Sequence, residues 1–175
     1  ITGSFEDVEF DVDFDAVISV HVIEHLCSPE QHLEQAYRAT KPGGRMILCT
    51  PNANSFYHKL PDKFSSNFDE AHLYVLSSSC ITNMAKKVGW QVEKVSTHEY
   101  TSDWLRLVSR LVRLLKGENA GVTAGNYAKK ANNPIIDKVV WIISKISSPL
   151  RWLQGVLRLG NELIFVLKKP NDTVA

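Results

Sequence analysis

The chain has 175 residues, 44% hydrophobic and 22% charged, with a formal net charge of +1. That suffices for one domain with a real core, is too little for two ordinary ones, and excludes a disordered, collagen-like or disulfide-rich polypeptide. Cys27, Cys49 and Cys80 are an odd set without CxxC spacing, which predicts thiols in a reducing, cytoplasmic setting, with Cys49 and Cys80 buried in a strand and a helix. The acidic start, ITGSFEDVEFDVDFD, lacks the apolar core of a signal peptide, and its missing initiator Met places the true start upstream. No stretch reaches the roughly 18 uncharged apolar residues of a spanning helix.

Taken in chain order, Phe14-Asp15 leads into Ala16–Val20, an apolar, β-branched run that predicts a strand buried on both faces. Asp15 reads as a turn or cap acceptor. Ser28-Pro29-Glu30-Gln31 supplies an N-cap, a first-turn proline and a capping-box Gln; Leu33, Ala36 and Tyr37 form a buried stripe, and Lys41-Pro42-Gly43-Gly44 ends that helix. The two glycines provide positive φ for a tight turn into the next strand, Arg45 to Thr50. The three elements form a right-handed βαβ unit.

Pro51 to Ala71 is a polar loop at a strand's carboxyl end, the edge where open α/β sheets bind ligands. Tyr57 and His58 on it are candidates to line an acceptor pocket. Ser77 or Ser78 caps a helix carrying Ile81, Met84, Ala85 and Val88 and closed by Gly89. Trp90 to Tyr100 and Glu162 to Lys168 predict two further strands. His32 and His98 receive no role.

Residues 101–160 form a long insertion with ten Lys/Arg against three Asp/Glu, whereas the remainder has ten against sixteen. Arg106, Arg110 and Arg113 share one face of an amphipathic stretch from Asp103 to Lys116. A polar linker, 117–133, separates it from apolar helices expected to break at Pro149. Two readings stay open: an interfacial element resting on anionic lipid, or the preferred one, a cap buried over the active site. Nucleic acid is not favoured, because the basic residues alternate with aliphatics rather than stacking aromatics.

The segment FDAVISVHVIEHLCSPEQHLEQAYRATKPGGRMILCTPN resembles the fourth strand, following helix and fifth strand of class I S-adenosylmethionine-dependent methyltransferases. It is most similar to the ubiquinone-pathway O-methyltransferase-like subset, with Glu24-His25 after strand four and Pro42-Gly43-Gly44 before strand five. The resemblance implies a Rossmann-like α/β sheet of order 3-2-1-4-5-7-6, with only strand seven antiparallel. It also implies an incomplete domain: 1–100 and 161–170 hold the end of strand three (Ile1-Thr2) to strand seven. The helical insertion is 101–160 and the tail 171–175. Strands one and two, the glycine-rich cofactor turn and the ribose-binding acid would lie upstream, leaving the fragment alone inactive.

The implied cofactor is S-adenosylmethionine. Ser4 and Phe5 would meet its adenine, and Val20 and His21 its methionine end. If a helical turn follows the strand, His21, Glu24 and His25 fall on one face. His25 is then the preferred base for an acceptor hydroxyl, supported by Glu24, with His21 at the cofactor's amino-acid end. The resemblance also implies a divalent-metal set of Glu24, His25 and His72. His21 stands where relatives have a further Glu, which shifts the donors toward zinc and away from magnesium. The metal-free site is preferred.

The expected function is therefore methyl transfer, on oxygen, to a small-molecule or lipid- or sugar-linked acceptor by a cytoplasmic enzyme, with peripheral contact at the inner membrane face open through 101–160. The alternative is a non-catalytic methyltransferase-like binding domain. A doubly wound nucleotide-sugar or NAD enzyme is disfavoured by the Glu-His pair and the short last strand.

Overall fold

The computed structural model describes residues 13–60, 72–105, 107 and 134–171. Strand β1 spans Phe14–Val20, helix α1 Pro29–Arg38, β2 Thr40–Pro51, α2 Ser78–Val88, β3 Gln91–His98, α3 Pro134–Val156 and β4 Glu162–Lys168. The sheet order is β1-β2-β4-β3. β1 and β2 are parallel, while β4 runs antiparallel to both β2 and β3. With the strands counted as four, five, six and seven, this is the 4-5-7-6 half of the expected order, with the last strand reversed.

Capping chemistry sets the helices as the sequence indicates. Ser28 Oγ accepts from the Gln31 amide at 3.5 Å, and Ser77 Oγ accepts from the Cys80 amide at 3.2 Å. Gly89 closes α2 in the left-handed region at φ 112°, where any Cβ would also press on the Tyr37 ring. Leu33 and Ala36 of α1 and Ile81 and Ala85 of α2 meet Met46, Leu48, Phe165 and Leu167 of the sheet in one core. Trp90 joins these layers: its ring stands edge-on to Tyr37, and its Nε1 donates to the Leu33 carbonyl at 3.1 Å.

Several expectations are corrected. β1 is exposed along much of its length in this chain, with Ile18 67% exposed, and among the described residues its pairing is with β2 alone, so the covering elements expected upstream are not among them. α1 ends at Arg38, and Lys41-Pro42-Gly43-Gly44 belongs to β2 as an irregularity between the Phe14–Thr40 and Ala16–Arg45 pairs. Gly43 has φ 78°. Gly44 is required by space, since a Cβ there would lie 2.6 Å from Thr40 Cγ2 and 3.0 Å from the Asp15 carbonyl. The Asp15 side chain instead pairs with Lys41 at 3.0 Å. The cysteines are thiols, but Cys27 and Cys80 are exposed and Cys49 half-buried, so Cys80 lies on the solvent side of α2.

A further correction is that Pro149 does not break α3. Proline removes one helical hydrogen bond, but Arg151 staples the turns around it. Its guanidinium donates to the Ser144 carbonyl at 2.9 Å and to Ser147 Oγ at 3.2 Å. α3 is tied to the sheet where Thr97 Oγ1 donates to the Gly155 carbonyl at 3.3 Å. Arg106, Arg110, Arg113 and the 117–133 linker lie outside the described residues. No helix among the described residues is long and apolar enough to cross a membrane.

Candidate active site

Because β4 enters the sheet antiparallel between β2 and β3, its first residue stands at the carboxyl ends of its neighbours. Glu162 is in register with both Pro51 and His98. This edge gathers the polar side chains.

At the end of β1 the backbone turns through His21 at φ 51°, a conformation costly for a residue with a side chain. The His21 amide still bonds the Cys49 carbonyl at 3.0 Å. A single 3-10 turn, Ile23–His25, follows. It places the buried Glu24 with Oε1 3.1 Å from His21 Nδ1 and Oε2 accepting from Thr50 Oγ1 at 2.9 Å. The opposite ring nitrogen, His21 Nε2, lies 3.4 Å from Glu162 Oε1. His21 is thus held between two buried carboxylates while half its side chain stays open to solvent.

His25 stands beside the 72–74 segment. The Glu24 carbonyl accepts from the Leu73 and Tyr74 amides at 2.9 and 3.2 Å, which brings the 72–74 segment against the turn. The His25 and His72 rings then lie 4.7 Å apart. The expected contact of Glu24 with the cluster is made to His21, which the left-handed backbone at its own position turns back toward the carboxylate.

Glu24, His25 and His72 nevertheless offer ligand atoms all within 4.8 Å of one another. Two imidazoles and one carboxylate with an open side form a donor set suited to a zinc-like ion. The Glu24 oxygens already accept from His21 and Thr50, so an ion would share that carboxylate with them.

A third carboxyl lies along the same edge. Glu99 is 2% exposed, and its Oε2 accepts from the Asn161 amide at 2.9 Å. Burial first, then the Asp103 charge, push it up to about 8, against the pull of the Asn161 amide, the Tyr57 hydroxyl and Arg151. Tyr100 is pushed up to about 12, chiefly by its hydrogen bond to Glu162 and then by burial. Burial, and after it the Glu162 charge, raise the Cys49 thiol, which disfavours a thiolate nucleophile here.

Asn52 braces this edge: its Nδ2 donates to the Gly160 carbonyl at 2.7 Å, fixing the entry to β4. Tyr57 is buried, and His58 Nδ1 lies 3.0 Å from Ser55 Oγ, with burial lowering its pKa. His32, given no role from sequence, joins α1 to β1 through Ser19 Oγ at 2.9 Å. Val20 is exposed at the end of β1, and Ser4 and Phe5 lie outside the described residues.

Glu162, Thr50, Glu99 and Tyr100 escaped the sequence reading. Nothing local marks the first residue of ELIFVLK as a site carboxylate; only its place between β2 and β3 does so.

A mixed sheet of order 4-5-7-6 with its polar cluster at the carboxyl edge is the sheet of class I methyltransferases. The chain belongs to the methyltransferase domain family, which matches residues 5–95. It is 41% identical over 49 residues to a mitochondrial ubiquinone biosynthesis O-methyltransferase of Dictyostelium discoideum, covering 28% of this chain and 15% of that protein. It is 29% identical over 83 residues to a probable S-adenosylmethionine-dependent methyltransferase of Mycolicibacterium smegmatis, covering 47% and 31%. Among solved structures, a SAM-dependent methyltransferase of Thermotoga maritima, described as a possible histamine N-methyltransferase, superposes with a TM-score of 0.54 at 20% identity. That superposition covers 97% of this chain and 63% of the other, so the chain spans less than two thirds of each of these relatives.

Proposed function

We propose that the protein is an S-adenosylmethionine-dependent methyltransferase acting on an acceptor oxygen, with His21 as the general base. The observation that carries the assignment is the imidazole of His21 held between Glu24 and Glu162 at the carboxyl edge of the sheet. A small-molecule or a lipid- or sugar-linked acceptor fits, and the partial match to a ubiquinone biosynthesis O-methyltransferase supports an oxygen acceptor.

S-adenosylmethionine supplies an electrophilic methyl group on sulfur. Val20 and His21 would line its methionine end, at the exposed terminus of β1. An acceptor hydroxyl replacing Glu162 as the partner of His21 Nε2 would lose its proton to that nitrogen. The oxygen–carbon bond forms as the sulfur–carbon bond breaks, with the electron pair leaving on sulfur. Glu24 fixes the orientation of the ring, in the manner of a carboxylate behind a catalytic imidazole. Tyr100 and Glu162 would orient the acceptor, and alignment supplies the rest of the rate. A divalent ion on Glu24, His25 and His72 would supply Lewis-acid polarisation of the same hydroxyl. The metal-free base remains the preferred reading because Glu24 is already bonded to His21 and Thr50.

The test is transfer of a labelled methyl group by the full-length protein to matched phenolic and amine acceptors. Transfer to the phenols alone supports the proposal. Transfer to amines alone would remove the oxygen assignment, and cofactor binding without transfer to any acceptor would favour a non-catalytic domain.

A further inference from the structure

The polarity of α3 is inverted. The side chains that bond to the helix itself or to the protein are polar: Ser144, Ser147, Arg151 and Gln154. Ser144 accepts from Thr101 Oγ1 at 3.4 Å, and Gln154 Oε1 accepts from Trp104 Nε1 at 3.2 Å. The outward side carries Trp141, Ile142, Ile146, Leu150, Leu153 and Val156, all exposed, with Ile146 at 75%. These positions recur at helical spacing along one face, over a length of roughly 22 Å at 1.5 Å per residue. Trp152 is 70% exposed at the margin of this face. An apolar face of this length on one helix, interrupted by lysines, marks a non-aqueous partner.

Charge selects the partner. From Pro134 to Gly160 the sequence has Lys138, Lys145, Arg151 and Arg158 against the single acid Asp137. Lys138 and Lys145 are exposed, and Lys145 Nζ stands 5.8 Å over the Trp141 ring, as a lysine placed to reach past an apolar face does. A two-fold pairing with a second copy would set like charges against each other. An anionic lipid surface would instead attract them while burying the tryptophans at headgroup depth. Lysine within the face suits a helix lying in the interface.

We propose that the outward face of α3 docks on an anionic lipid bilayer, with Trp141 and Trp152 inserted and Lys138 and Lys145 at the headgroups. The assignment stands apart from the methyl-transfer reading and needs no cofactor to test.

The experiment is co-sedimentation of the full-length protein with vesicles of phosphatidylcholine alone or mixed with phosphatidylglycerol, at rising salt. Capture by the mixed vesicles, at least tenfold above the neutral ones and released by salt, is the expected result. Brominated lipid should quench the tryptophan fluorescence. Lys138→Glu with Lys145→Glu should abolish capture, as should Trp141→Ser with Ile146→Ser. All four side chains are exposed and circular dichroism should stay unchanged. Equal capture by neutral vesicles, capture indifferent to both double variants, or dimerisation with no capture at any salt would each overturn the proposal.

Discussion

Glu24 accepts from Thr50 with one carboxylate oxygen and bonds His21 with the other, so a single buried side chain couples the end of β2 to the imidazole at the end of β1. The Glu24 backbone carbonyl adds the 72–74 segment to the same point. Much of the site's geometry therefore rests on one residue inside a 3-10 turn.

Removal of the base should separate catalysis from binding. In the full-length enzyme, His21→Ala is expected to lower kcat by roughly a hundredfold while cofactor affinity changes little. His25→Ala should cost less than tenfold. Steady-state kinetics on both variants, with calorimetry for the cofactor, decide the assignment. The reverse ranking would move the base to His25.

Chelation provides an independent check. With His21 as base, activity should survive a strong chelator and gain nothing from added zinc or magnesium. Loss in chelator restored by zinc would instead place an ion on Glu24, His25 and His72.

Glu99 predicts a pH dependence of stability. Its folded pKa of about 8 lies above the ordinary 4.5, so the folded state holds this proton more tightly than the unfolded chain. The stabilisation is fully present below about 4.5 and is lost as pH rises through 8. The loss amounts to a few kcal/mol at most, at about 1.4 kcal/mol per unit. Thermal denaturation between pH 5 and pH 8.5 should show Tm falling, and Glu99→Gln should flatten that slope. An unchanged slope in the variant would mean that the group ionises as freely as in water.

Trp90 should matter most to the core. It is buried against Tyr37 and bonds the Leu33 carbonyl. Trp90→Ala is expected to cost about 3–5 kcal/mol by urea denaturation. Trp90→Phe should recover part of that and leave the carbonyl without its donor. A cost below 1 kcal/mol for Trp90→Ala would show that α1 and α2 are not coupled through this ring.

The elements themselves were legible in the residues. Ser28 and Ser77 as caps, Gly89 as a left-handed stop, and the limits of β4 all follow from local chemistry, since capping and positive φ depend on neighbours a few positions away. The Glu-His pair and Pro-Gly-Gly, in order, were enough to point to a methyltransferase sheet. The reach of α3 through Pro149 was not legible, because the stapling by Arg151 is a matter of side-chain direction.

The site divides along the same line. His21, Glu24 and His25 were visible from sequence because they sit within five residues of a strand's carboxyl end. That the carboxylate bonds His21 was not legible, because it depends on the backbone path between the end of β1 and the turn. Glu162 and Glu99 reach the site only because β4 threads antiparallel between β2 and β3, setting residues more than sixty positions apart on one edge. Sequence determined the elements, the capping chemistry and the family, through interactions between near neighbours. Only the tertiary structure decided the partners of His21 and the outward polarity of α3, because burial and cross-strand register are properties of the assembled sheet.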